Sequence, residues 1–428
     1  MIRKTSIAAT LFLSAALIAA CSQSAKEGTT TANPPASPKA NNDPVTLTAY
    51  FDNVFDPELE PIIVAAVKAK YPAITLEIVK AKNTDELLAA GSPPDIVFTY
   101  PGNLPTLKDK GLLFDMSPLM KAGNVDAGRF EANLIEDVKA VSFTNQVVAV
   151  PYTKAFFALY YNKDLFDKFG VAYPKAGMAW EDTIDTAKKV TRMDGSTQYS
   201  GLAISNLHWT AFAYSARPVD YKTEKSAIAS DVWKKVLELG YAINNIPGNT
   251  NTGGKNGFMK NKTLAMLLEV NIIPELEVAA KEGLNWDVTQ FPSFKDKPGV
   301  SGSSFNVVSV TNTSKHKERA MQVIDVITSE EVQGAYAKLG KASPLKSEAV
   351  RKAFETGTES LKSKKLSDIF LGTQAPYPIT TRFNDKAAAI LNKHAAEYYK
   401  GTVDLNTTIS RADEEINKMI EEEKTKTK

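Results

Sequence analysis

Side chains that carry covalent and metal chemistry are scarce in this chain. Its 428 residues hold one cysteine and three histidines. A transition-metal site needs clustered His or Cys, and neither cluster exists, so no metal or cofactor is expected. With a single cysteine no intrachain disulfide forms, and the fold must stand on its core. His316 lies in a charged segment and His394 in an alanine-flanked helical stretch, both read as surface residues. Only His208 could serve a nucleophile, and no third partner is recognisable beside it. HExxH, GxSxG, GxGxxG and P-loop patterns are all missing. Excess charge is missing too. Lys+Arg is 51 against Asp+Glu 49, a net +2, which leaves no dominant basic surface for nucleic acid. No apolar run after residue 21 is long enough to span a bilayer.

What is present begins with an export segment. Arg3 and Lys4 precede the apolar run Ile7–Ala20, which is too short for a membrane span and ends in small residues. Leu17-Ile18-Ala19-Ala20-Cys21 resembles a bacterial lipobox. Residues 1–20 are therefore expected to be a lipoprotein signal peptide and Cys21 the acylated residue, with an ordinary signal peptide as the alternative. Residues 21–43 are rich in Ser, Thr, Ala, Pro and Asn without aromatics, the composition of a flexible tether. The remainder exceeds the size at which one core usually stops growing, so two lobes are expected.

Strand and helix patterns then alternate. Val45–Tyr50, Ile74–Val79 and Asp95–Phe98 read as strands, separated by helices over about 57–70 and 83–90. Alternation of this kind predicts βαβ units and a mainly parallel sheet, with ligands beyond the carboxyl ends of the strands. Those ends are Phe51-Asp52-Asn53 and Tyr100-Pro101-Gly102-Asn103. Asp52 and Asn103 are candidate ligand contacts, with helix capping as the equal alternative.

The stretch Asn145–Trp180 organises the rest. Val147–Val150 is an apolar run stopped by Pro151, and Ala155–Tyr161 is a second run of strand length. Lys163–Phe169 is a short helix closed by Gly170, and Trp180 opens a longer one. Within it, ALYYNKDLFDKFGV followed by AWED resembles the signature of family 1 extracellular solute-binding proteins, the ligand-capturing subunits of ABC importers. PDIVF with KGLLFDMSPL, GFMKNKTLAMLL, NWDVTQFPSF, and SKHKERAMQVIDVITSEEVQGAYAKLGKASPL resemble further segments of that family, over about residues 45–422. Many members follow the GFMKNKTLAMLL-like strand with a tryptophan that stacks on sugar. Here Glu269-Val270-Asn271-Ile272 stands there, which argues against a plain maltose-like platform.

The resemblance implies an α/β, two-lobe periplasmic-binding-protein-like fold with a hinge and an interlobe cleft. It divides the chain into lobe 1 (44–151), lobe 2 (152–301), a lobe 1 return segment (302–350) and a C-terminal helical segment mainly on lobe 2 (351–428). It implies ligand contacts at Phe51, Asp52, Tyr100, Asn103, Glu269, Asn271, Ser303 and Ser304. Trp209 and Tyr214 follow a second-lobe strand, where the family places a stacking aromatic, while Trp180 and Trp233 are read as core. Tyr152 lines the cleft or plugs the hinge, and Arg382 reaches the cleft or forms a surface salt bridge. The expected function is capture of a carbohydrate, an oligosaccharide first, by hinge closure. Its delivery goes to a membrane permease, from a monomer held by lipid on the outer face of the cell membrane, without catalysis. The alternatives are a secreted lipoprotein glycoside hydrolase using a carboxylate pair and a binding protein for a non-sugar solute.

Overall fold

The computed structural model describes residues 43–426 apart from 55 and 251. The expected signal peptide, tether and acylated Cys21 lie outside the described residues. In chain order the strands are β1 (Val45–Phe51), β2 (Ile74–Ile78), β3 (Ile96–Thr99), β4 (Val150–Ala155), β5 (Phe157–Asn162), β6 (Arg192–Asp194) and β7 (Thr197–Ile204). They continue with β8 (Val219–Asp220), β9 (Lys225–Ser226), β10 (Leu264–Val270), β11 (Trp286–Gln290), β12 (Val300–Gly302), β13 (Ser304–Val310) and β14 (Thr373–Ala375).

Two five-stranded sheets result, in the orders β2-β1-β3-β13-β4 and β11-β5-β10-β7-β6, one at the centre of each lobe. In the first, β1 runs parallel to β2 and β3, as the alternating pattern demands, while β13 is antiparallel to β3 and β4. In the second, β10 is parallel to β7, but β5 is antiparallel to both β10 and β11, and β6 to β7. The mainly parallel sheet expected from the alternation is therefore not what forms: the strands next to the crossings run back against their neighbours. The helices Leu59–Lys70, Lys317–Ile327 and Glu330–Lys338 lay Leu59, Ile63, Val67, Ala320, Ile324 and Val332 on the first sheet. Asp231–Asn244 packs Trp233, Val236, Leu237 and Ile243 with Ala387, Leu391, Ala412 and Ile416 of the two C-terminal helices, Asn384–Tyr399 and Leu405–Lys426. The repeating i, i+3, i+4 apolar spacing is what lets each helix bury one stripe.

The chain crosses from one sheet to the other between Ala155 and Phe157, and returns through β12 into β13. Here the structure differs from the sequence reading. The strand expected to stop at Pro151 instead starts at Val150 and runs through the proline. β4 is the edge strand, and Pro151 falls at the register shift between Asn306 and Val307 of β13, so its missing N–H interrupts no interior ladder. The helix opening at Lys163 closes as expected, on Gly170 at φ 65°.

Candidate functional site

At the first lobe's rim, β1 and β3 are parallel neighbours, with Phe51 opposite Phe98, so the residues just past them are brought side by side. Phe51 stacks on Phe98 at 4.4 Å between centroids, and Tyr152, fully buried, meets the same ring edge-on at 5.2 Å. Asp52 and Asn103 meet directly. Asp52 Oδ2 accepts from Thr84 Oγ1 at 2.6 Å and from Asn103 Nδ2 at 2.9 Å, and Asn103 Nδ2 also reaches Thr99 Oγ1 at 3.0 Å. Both are buried, and the Asp52 carboxylate is held by side chains from two other segments, each at the start of a helix, Thr84–Ala89 and Leu104–Asp109. Tyr100 donates its hydroxyl to Asp385 at 3.3 Å, and burial together with that carboxylate pushes its phenol well above the ordinary value. It is a neutral donor at physiological pH.

The second lobe supplies its own strand ends. β7 and β10 are parallel neighbours, with Leu268 opposite Ile204. Past β7, the short helix His208–Ala211 holds the half-buried Trp209 over Phe157, at 5.2 Å and an interplanar angle of 28°. Phe212 meets Phe157 edge-on at 5.8 Å. Neighbouring His208 is buried against Trp233, and burial lowers its pKa to about 4, so it is a neutral core residue at pH 7. Past β10, Glu269 is buried, accepts from the Val270 N–H at 2.9 Å and has Lys255 at 3.9 Å. Asn271 donates to the Gly340 carbonyl at 2.8 Å. Tyr214 points elsewhere: its hydroxyl donates to Asp296 at 2.6 Å and its ring packs on Phe294.

Between the lobes runs the segment after β14. The Tyr377 N–H donates to Asp137 Oδ1 at 3.0 Å, and Ser303 Oγ lies 3.4 Å from the other oxygen of Asp137. Thr380 Oγ1 donates to the Gly102 carbonyl at 3.2 Å, and Arg382 pairs with Asp109 at 3.3 Å. Ser304 is half-buried at the head of β13, opposite Ala155. Phe51, Asp52, Tyr100 and Asn103 thus share one rim, Ser303 and Arg382 join it through the 377–382 strap, and Trp209 stands with Phe157 at the crossing. Glu269 and Asn271 sit towards Lys255 and Gly340, apart from these bonds.

Sequence reasoning passed over Asp137, Arg217, Phe157, Phe212, Tyr377 and Asp385. Burial raises Asp137 to about 6. Phe157 was legible as part of a strand, but no local pattern marks any of these residues as belonging to a site, because that role shows only through a partner far along the chain. Asp137 and Tyr377 are 240 positions apart. Among the described residues no group of His, Cys, Asp and Glu is placed to hold a metal ion. Flat aromatic faces, amide and hydroxyl donors and a held carboxylate are the furniture of a binding site for a polar ligand with apolar faces.

Comparison with known proteins adds a family and a fold. The profile of the family described as bacterial extracellular solute-binding protein matches residues 63–362. Among solved structures, the ABC substrate-binding protein Lmo0181 of Listeria monocytogenes, in complex with cycloalternan, aligns at a TM-score of 0.72 and 18% identity, over 88% of this chain and 99% of that one. An ABC transporter solute-binding protein of Thermotoga lettingae, bound with alpha-D-tagatose, gives 0.69 and 21%, over 88% and 99%. The sugar-binding protein MalE of Xanthomonas citri gives 0.68 and 16%, over 89% and 98%. At these identities the likeness is one of fold. Among curated protein sequences no match is found.

Proposed function

The chain belongs to the bacterial extracellular solute-binding proteins, and we propose from this that it captures a carbohydrate, an oligosaccharide first, for an ABC importer. What supports a carbohydrate is the half-exposed Trp209, stacked on Phe157 where the chain enters the second sheet. An aromatic face on one lobe and neutral donors such as Tyr100 on the other suit the C–H faces and hydroxyl edges of a sugar ring. Two proteins of like fold are described as bound with alpha-D-tagatose and in complex with cycloalternan, in keeping with this reading.

Capture is a binding event without covalent chemistry. Residues 44–155 with 302–350 make one lobe and 156–301 with most of 351–426 the other, the first boundary moving from the expected 151 because β4 belongs to the first sheet. The ligand binds one lobe before the hinge closes both upon it. The strap at Tyr377–Arg382 is then part of the closed contact, and Tyr100, Asn103, Trp209 and Arg382 line the cleft. The closed monomer, tethered through lipid at Cys21 to the outer face of the membrane, hands its cargo to the permease. A thermal-shift screen over mono- and oligosaccharides tests this. A true ligand raises the midpoint, worth about 2.7 kcal/mol of stability at a hundredfold excess over its Kd. Hydrolysis of a bound oligosaccharide, or no shift with any sugar, refutes it.

A further inference from the structure

One cation in the site has no anion. Arg217 is half-buried, and among the described residues no carboxylate lies within ion-pair distance of it. Arg129 and Arg382, by contrast, meet Asp325 and Asp109. The guanidinium lies 4.3 Å from the Phe212 ring centre and 5.5 Å from that of Tyr377. Its side-chain hydrogen bond goes from Nη2 to the neutral Tyr377 hydroxyl at 2.9 Å, and Nε is buried with no partner. A guanidinium taken out of water loses hydration that aromatic faces and one phenol only partly replace, so the site favours a ligand that supplies negative charge.

Its position is central. Phe212 touches Phe157, the ring under Trp209. Tyr377 lies against the Tyr100–Asn103 loop so closely that a Cβ added to Gly102 would stand 3.0 Å from its hydroxyl. Arg217 is therefore one side chain from each half of the candidate site. The groups around it are accounted for. His208 is neutral, Asp137 is engaged by the Tyr377 N–H and Ser303, and Asp385 is exposed and held by Tyr100.

Taking the carbohydrate reading of this site as given, we propose that the cargo is an acidic sugar and that Arg217 selects it by pairing with a uronate carboxylate. A planar guanidinium matches a carboxylate in shape and keeps its charge at every physiological pH. Asp385 then acts as a rim charge that weakens binding of the same ligand through repulsion.

Calorimetry with short oligogalacturonates, oligoglucuronates and oligomannuronates, each beside its methyl ester and the matching neutral oligosaccharide, decides the matter. At least one acid should bind ten times or more tightly than its ester, with an affinity that falls as salt rises. Arg217→Gln should abolish that preference while Arg217→Lys keeps part of it, and Asp385→Asn should tighten the acid alone. The wild-type comparison of acid with ester stands even where a variant folds poorly. If neutral sugars bind as well as acids and Arg217→Gln leaves the ratio unchanged, the selection by charge is wrong while the carbohydrate reading survives. If no sugar of either kind binds, both fall.

Discussion

Trp209 and Trp233 have the same side chain and opposite surroundings. Trp209 is half-buried with one face on Phe157, whereas Trp233 is 1% exposed and its Nε1 donates to the Arg217 carbonyl at 3.2 Å. Trp209→Ala should weaken sugar binding by about tenfold, since a stacked aromatic contributes about 0.5–1.5 kcal/mol beyond its buried area. Trp233→Ala should instead cost about 3–5 kcal/mol of stability. Calorimetry and unfolding midpoints measured on both variants separate the two roles. Normal binding with early melting in Trp209→Ala would make it a packing residue. Asp137 adds a pH signature. Its carboxyl is raised to about 6 by burial, against about 3.9 when unfolded. The native state therefore holds a proton that the unfolded chain has lost between those values. The stability this group contributes is present in full below about pH 4 and is lost as pH rises through about 6. Asp137→Asn, which stays neutral, should become more stable relative to wild type as pH goes from 4 to 7. Denaturant midpoints across that range check it, and a constant difference would show that Asp137 titrates normally.

At the scale of elements, the crossing between sheets depends on one close approach. A Cβ added to Gly302 in β12 would lie 2.3 Å from Phe212 Cβ and 3.2 Å from Phe157 Cε2. Gly302→Ala should cost about 1–3 kcal/mol by overpacking. It should also weaken ligand binding, since the rings it displaces are those beneath Trp209. Stability and affinity measured on the variant should fall together, and loss of stability alone would separate Gly302 from the site. The same region shows how far pattern reading reaches. The strand at Phe157–Asn162 was legible from its apolar, aromatic run. The strand at Val150–Ala155 was displaced because Pro151 reads locally as a stop. Only the sheet order reveals that β4 is an edge, where a missing N–H breaks no interior ladder.

For the whole molecule, closure of the lobes is the expected consequence of binding. Solution scattering should give a smaller radius of gyration with saturating sugar, and an identical curve under proven saturation counts against a moving hinge. Acylation at Cys21 is tested apart from folding. Cys21→Ala should release the protein from membranes, and unchanged retention with no acyl mass on the cysteine ends that proposal.

The sequence by itself determined the alternating α/β architecture, the two-lobe size class, the family and the core positions of Trp180 and Trp233. Those signals repeat every two or 3.6 residues, or sit in contiguous motifs, so a linear reading sees them. Tertiary structure alone decided how the polar groups pair. It closes Asp52 onto Thr84 and Asn103, takes the Tyr214 hydroxyl to Asp296, and sets Arg217 between Phe212 and Tyr377 with no carboxylate of the described residues within ion-pair distance. A side chain's local pattern states which face it occupies, while its partner is set by which elements pack together, tens to hundreds of residues away.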